Sequence, residues 1–156
     1  MPMKPVHAED VVARKGQTIY PEPFTALVAG RTKKKLGDLF GLTSFGVNLT
    51  HLEPGSASAL YHWHSVQDEF VFVLEGVATV VFGDDEHELV AGDCIGFKAG
   101  TKIGHQIVNR GVERVTYLEI GDRQPGDSGD YPRDDLAFEF RDDGSIVFTH
   151  KDGTAY

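Results

Sequence analysis

Four side chains of this sequence have the types and the spacing to hold a metal ion. His62 and His64 are separated by one residue, so on an extended strand both imidazoles point to one face and Trp63 to the other. Ser65 to Asp68 can turn the chain, and Glu69 then opens a second apolar run that can carry its carboxylate back beside the two rings. Beyond the glycine-punctuated stretch Ala99-Gly100-Thr101-Lys102-Ile103-Gly104 stands His105, at the head of a run whose alternation reads as a strand. Neutral imidazole and carboxylate are the usual donors to a first-row divalent metal.

Three histidines and one glutamate leave a divalent ion net positive and, in an octahedral shell, leave two positions for water, a carboxylate, a hydroxy-ketone or dioxygen. The chemistry open to such a site is Lewis-acid polarisation, activation of bound water, or oxygen activation. The donor set does not distinguish Mn, Fe, Zn and Ni. Catalysis also needs an acid or base facing the substrate, and no residue is nominated for that part. Val71, Val73, Leu60 and Ile107 predict an apolar pocket floor, with Asn109, His51 and Tyr117 as candidate polar contributions. Asn109 falls in step with His105 and Ile107, and either orients a ligand or satisfies backbone groups. His51 follows Leu49 by two; a surface position at the strand end is its plainer reading. Tyr61 and Trp63 fall opposite the ligands and read as packing residues.

The run Gly55, His62-x-His64, Glu69, Gly76 resembles the first motif of the cupin superfamily, and Gly92, Gly100, His105, Asn109 its second. The first motif here has six residues before its first histidine where five are usual. The second has Lys98 in place of the usual proline and four residues between Gly100 and His105 where two are usual. The motifs span Gly55 to Asn109, about a third of the chain. The resemblance implies a jelly-roll β-barrel, with His62, His64, Glu69 and His105 as ligands of one divalent transition metal. It further implies activity among oxalate-handling enzymes, dioxygenases or sugar isomerases, and barrels paired as homodimers. The tail from Gly121 on is similar to that of a bacterial subgroup loosely labelled sugar or sugar-phosphate isomerases.

These residues need strands to position them. The chain reads as all-β, one unit over residues 1–156, with a core barrel at about 42–120, an N-terminal arm with edge strands at 1–41, and a C-terminal loop and hairpin at 121–156. Residues 1–23 read as a loose arm with one short edge strand, of the kind that in cupins often crosses to a partner. Phe24 to Gly30 reads as a short strand, and Arg31 to Lys35 as a solvated basic run. Over Leu42 to Glu53, Phe45, Val47 and Leu49 alternate with Ser44, Gly46, Asn48 and Thr50, the mark of a half-buried strand. Ser58–His64, Glu69–Glu75, Ala78–Phe82, Glu86–Val90, Cys94–Phe97, His105–Asn109 and Arg114–Ile120 follow. Strands this short and this regularly punctuated suit a barrel or sandwich. Cys94 reads as a small buried hydrophobe, His87 as part of a solvated acidic turn. Residues 121–132 read as loop, and Asp143-Gly144 as the turn of a hairpin joining Leu136–Arg141 to Ser145–Thr149.

With 156 residues and 40% hydrophobic content, the chain can bury one sizeable core. The formal net charge of −9 argues against nucleic acid, which is bound through clustered Lys and Arg. One cysteine permits no internal disulfide, no apolar run is long enough for a membrane span, and the first residues carry no leader-like apolar stretch. The expectation is a cytoplasmic protein that meets neither membrane nor nucleic acid. Its partner is a small molecule, turned over as a substrate or merely held by a metal-dependent binding or sensing module.

Overall fold

The computed structural model describes residues 4–15 and 17–156. Short runs rich in Val, Ile and Phe cannot bury a face alone, so they pair. The strands are β1 Arg14–Lys15, β2 Arg31–Lys35, β3 Phe45–Leu52, β4 Trp63–His64, β5 Glu69–Glu75, β6 Val77–Phe82, β7 Asp85–Val90, β8 Cys94–Phe97, β9 His105–Val108, β10 Val115–Asp122, β11 Ser128–Tyr131, β12 Leu136–Phe140 and β13 Ile146–Thr149. A single turn of helix, α1 Leu36–Leu39, joins β2 to β3. Among the described residues they form three antiparallel sheets, ordered β1-β2-β3-β10-β5-β8, β13-β12-β11-β4 and β7-β6-β9. The turn between β5 and β6 requires Gly76: its φ is +80°, and a Cβ there would stand 2.7 Å from the Arg114 carbonyl oxygen.

Register in the six-stranded sheet decides which side chains face the interior. Lys33, Thr50, Tyr117 and Val73 form one row across β2, β3, β10 and β5. Two residues along, Lys35, Asn48, Glu119 and Val71 form the next. This face packs Leu52, Val71, Val73, Val115 and Tyr117 against Ala78, Val80 and Ile107. Each fully buried Val or Leu there stabilises the fold by ~1.5–3 kcal/mol. The opposite face carries Lys34, Leu49, His51 and Thr116, with the N-terminal arm over part of it: Lys34 Nζ donates to the Glu9 carbonyl at 2.6 Å and pairs with its carboxylate.

Four sequence expectations are corrected here. Leu49 is buried, but on the face turned away from the interior, so Asn48, Thr50 and Leu52 are the inward set of β3. The basic run 31–35 is strand β2, with Lys34 buried and its neighbours half-buried rather than solvated. The run Phe24–Val28 is a 3-10 turn, not a strand; Phe24 N–H donates to the Pro21 carbonyl at 3.0 Å. Cys94 is exposed, because its partner in the ladder is Phe72 and the inward position of β8 belongs to Ile95, opposite Val71.

The C-terminal hairpin forms at β12 and β13, as the Asp143-Gly144 turn predicts. The stretch read as loop contains β11, which joins that hairpin to β4. Leu60, Tyr131, Leu136 and Phe138 make a second apolar cluster beneath it.

Candidate metal centre

All three sheets deliver a donor to one point. His62 sits just before β4 and forms a single bridge to His105, the first residue of β9; His64 ends β4, and Glu69 begins β5. A ligand atom from each of His62, Glu69 and His105 lies within 4.8 Å of the others. Glu69 Oε2 is 2.7 Å from His105 Nε2, 3.4 Å from His64 Nε2 and 3.7 Å from His62 Nε2. The fourth side chain closes the group, with His64 Nε2 at 3.1 Å from His62 Nε2. Donors about 2.1 Å from a shared ion and at right angles to one another stand about 3 Å apart, the spacing found here.

The hydrogen bonds behind the rings fix which nitrogens face the centre. His62 Nδ1 lies 2.7 Å from the Leu60 carbonyl oxygen, and His64 Nδ1 lies 2.6 Å from Asp127 Oδ2. Each Nδ1 must therefore carry the proton it donates, which turns the lone pair of each Nε2 toward the centre. Two such lone pairs at 3.1 Å repel unless a proton or cation lies between them. Glu69 Oε2 is buried and makes no bond of hydrogen-bonding geometry, even toward the nearby His105 nitrogen. An orphaned carboxylate oxygen facing inward-turned imidazole lone pairs fits a divalent cation.

Local charge follows the same plan. Burial pushes the Glu69 carboxyl up, but the facing His105, His62 and His64 outweigh it and hold it well below the usual carboxylate range. Burial pushes His105 down, against the pull of Glu69. Burial also works to lower His64, yet Asp127 and Glu69 leave it raised. Asp127 is nearly inaccessible; burial raises it, and His64 together with the Val66 and Gln67 amides holds it below its ordinary value. Phe97 stacks on His105 at 3.8 Å and fixes that ring.

The group opens into a cavity of about 240 Å³. Val71 and Ile107 contribute to its wall, as expected, and Tyr117 does so fully buried, whereas Val73 and Leu60, also expected at the pocket floor, are buried in the two apolar clusters instead. Its polar lining is richer than the sequence suggested, with Arg31, Lys33, Ser58, Glu119, Tyr20 and Tyr131. Phe138, Phe140 and Phe148 from the C-terminal hairpin also line it.

Two candidate pocket residues lie elsewhere. His51 shares the outward face of β3 with Leu49; its Nδ1 is 3.0 Å from Thr116 Oγ1, and its Nε2 is 3.4 Å from the Glu9 carboxylate. Asn109 is fully buried and closes a turn: its amide nitrogen donates to the Leu52 and Glu113 carbonyls at 2.9 and 2.8 Å, and Gly111 N–H donates to its Oδ1 at 3.0 Å. Of its two readings, backbone satisfaction is the one realised. Tyr61 and Trp63 stay out of the cavity, as their alternation requires. Asp127, Glu119, Arg31 and Lys33 were missed. For the last two, the alternation of charge along Arg31-Thr32-Lys33 was a usable strand signal.

The cupin domain model matches residues 48–121. A solved protein from Silicibacter pomeroyi DSS-3, called a sugar phosphate isomerase from a cupin superfamily, is 40% identical, with a TM-score of 0.91 over 98% of this chain and 96% of that one. A proposed sugar phosphate isomerase from Acidithiobacillus ferrooxidans is 33% identical, with a TM-score of 0.73 over 82% of each chain. The polyketide cyclase RemF of Streptomyces resistomycificus is 25% identical, with a TM-score of 0.63 over 79% of this chain and 81% of that one. No curated protein matches the chain in sequence. An inward-facing His and Glu cluster where three antiparallel sheets meet is what the two motifs imply, and near-complete overlap with the Silicibacter protein extends that likeness to arm and tail: the chain belongs to the cupin superfamily.

Proposed function

We propose that this protein is a metal-dependent isomerase of a small phosphorylated hydroxy-carbonyl compound, that is, a sugar phosphate. The observation that carries this reading is a second carboxylate, Glu119, lining the same cavity as the His and Glu cluster. Glu119 and Glu69 are diagonal neighbours on paired strands, since Gly121 faces Glu69 and Glu119 faces Val71. Such positions are separated by roughly 7–8 Å, which leaves room for the reacting carbons of a substrate between them. The names of the Silicibacter and Acidithiobacillus relatives support the same substrate class.

His62, His64, Glu69 and His105 would hold the ion. When bound, Mn, Fe, Zn or Ni would supply Lewis-acid polarisation of a substrate oxygen. The remaining work falls to the chain. Glu119 takes the proton from the carbon beside the carbonyl and returns it to the former carbonyl carbon, while the substrate's hydroxyl proton passes to the former carbonyl oxygen, so that aldehyde and ketone exchange places. Lys33 Nζ, 2.6 Å from Glu119 Oε1, keeps this carboxylate aimed. Burial and the neighbouring Tyr20 push the Tyr131 hydroxyl far above its ordinary value, so it stays a hydrogen-bond donor for a substrate oxygen. Phe138, Phe140 and Phe148 keep water from the intermediate.

Incubation of metal-loaded protein with a panel of sugar phosphates in deuterated water tests this reading. The expected result is an isomer carrying deuterium at the carbon next to the carbonyl, and loss of that exchange in Glu119→Gln with metal content retained. Compounds that bind and emerge unchanged, without deuterium, would make the protein a binding module instead.

A further inference from the structure

We propose that Arg31 and Tyr117 form an oxyanion subsite at the end of the cavity away from the His and Glu cluster, and that it takes the phosphate of the substrate. The inference rests on the isomerase reading and adds to it which end of the substrate lies where.

Arg31 lines the cavity with its charge anchored but not neutralised. Its Nη1 donates to the Ser58 carbonyl, its Nη2 to the Gln17 carbonyl at 3.2 Å, and among the described residues no carboxylate pairs with it. Lys33, on the same face of β2, is matched by Glu119. This end therefore keeps one uncompensated cation in a planar fork with donors to spare, the geometry suited to phosphate oxygens.

Tyr117 supplies the independent observation. Its side chain is completely buried and lines the same cavity, and its hydroxyl, beside the Thr50 and Ser58 hydroxyls, makes no hydrogen bond of good geometry among the described residues. A buried hydroxyl without a well-formed bond costs stability, and a substrate oxygen reaching Tyr117 would relieve that cost. Burial pushes this hydroxyl well above its ordinary value, which keeps it a donor. The Tyr117 row lies four residues along β10 from Gly121, the residue opposite Glu69. That is about 13 Å of strand, enough for several carbons between a carbonyl at one end and a phosphate at the other.

The test is calorimetric titration of the full chain with inorganic phosphate, and with acetate for comparison. Phosphate should bind more tightly than acetate. Arg31→Met should weaken phosphate at least about tenfold. Because Arg31 also ties down backbone at Ser58 and Gln17, Tyr117→Phe is the cleaner variant: it should weaken phosphate several-fold while leaving the melting temperature unchanged or raised. In Glu69→Gln, with the metal cluster broken, phosphate should still bind. Wild-type phosphate affinity in both Arg31→Met and Tyr117→Phe would overturn the subsite, as would equal affinity for acetate, or phosphate binding abolished by Glu69→Gln. Because this readout needs no turnover, phosphate binding without deuterium exchange would defeat the isomerase reading alone, and exchange without phosphate binding would defeat the subsite alone.

Discussion

The two ends of the cavity are prepared in opposite ways. At the His and Glu end, each histidine of the His-x-His pair is fixed from behind, by the Leu60 carbonyl and by Asp127, and their Nε2 atoms face one another at 3.1 Å. At the other end, among the described residues, Arg31 is tethered to backbone carbonyls alone, and the Tyr117 hydroxyl makes no well-formed hydrogen bond. The first end is an excess of acceptors turned inward, which a cation satisfies. The second is an excess of donors, which an anion satisfies. A molecule with an electron-rich oxygen beside the metal and an anionic group at its far end meets both needs. Single changes should therefore separate the ends.

The largest effect is expected from Gly129→Ala. Gly129 lies opposite His64 in the β11–β4 ladder, and a Cβ there would collide with the Trp63 carbonyl oxygen and the Phe138 ring. Backbone cannot step aside as a flexible side chain can, so a cost of about 1–3 kcal/mol is expected. At roughly 2–4 °C per kcal/mol for a chain of this size, thermal unfolding should show a loss of several degrees, accompanied by loss of metal as Asp127 is drawn off His64.

Asp127→Asn should act more narrowly. It leaves the shape but removes the charge that orients His64, and such changes behind a ligand cost about 10–100-fold in metal affinity. Competition with a chromophoric chelator would measure this, and phosphate binding at the Arg31 end should not follow. If both affinities fall together, the ends are not separate.

The smallest effect is expected from acid acting on Asp135, which lies outside the cavity and touches neither end. Asp135 accepts a hydrogen bond from the Lys151 amide at 2.7 Å and faces His150 Nδ1 at 2.8 Å, and the Lys151 bond followed by His150 lowers its carboxyl below the ordinary value. A carboxyl depressed in the folded state contributes stability above its unfolded value, near 4, and loses it as pH falls through the folded value. The protection of the Lys151 amide, its exchange rate divided into the intrinsic rate at the same pH, should thus fall only below about pH 4.

The same division explains what was legible in the sequence. His62, His64 and Glu69 stand within eight positions, and strand parity plus one turn is enough to bring them together. Most of the strands around them could be read in the same way, from alternation and turn glycines such as Gly55, Gly76 and Gly92, all at positive φ. The donor-rich end depends on lateral pairing, which no local pattern encodes. Arg31 and Lys33 face inward only because β2 pairs with β3 in one register, and the same register places His51, whose plainer reading is a surface position and whose alternative is the pocket, buried beneath the arm. Asp127 lies 63 residues from its partner His64. It also precedes a strand, Ser128-Gly129-Asp130-Tyr131, too polar for hydrophobic alternation to mark.

The measurement that bears most directly on this account is the metal content of protein purified without chelators, set beside that of Glu69→Gln. The account predicts one divalent ion per wild-type chain, and its loss when the orphaned oxygen is replaced by an amide while the chain stays folded. An equal metal content in the two proteins, or a wild-type chain that takes up no divalent ion when Mn, Fe, Zn and Ni are each supplied, would contradict it.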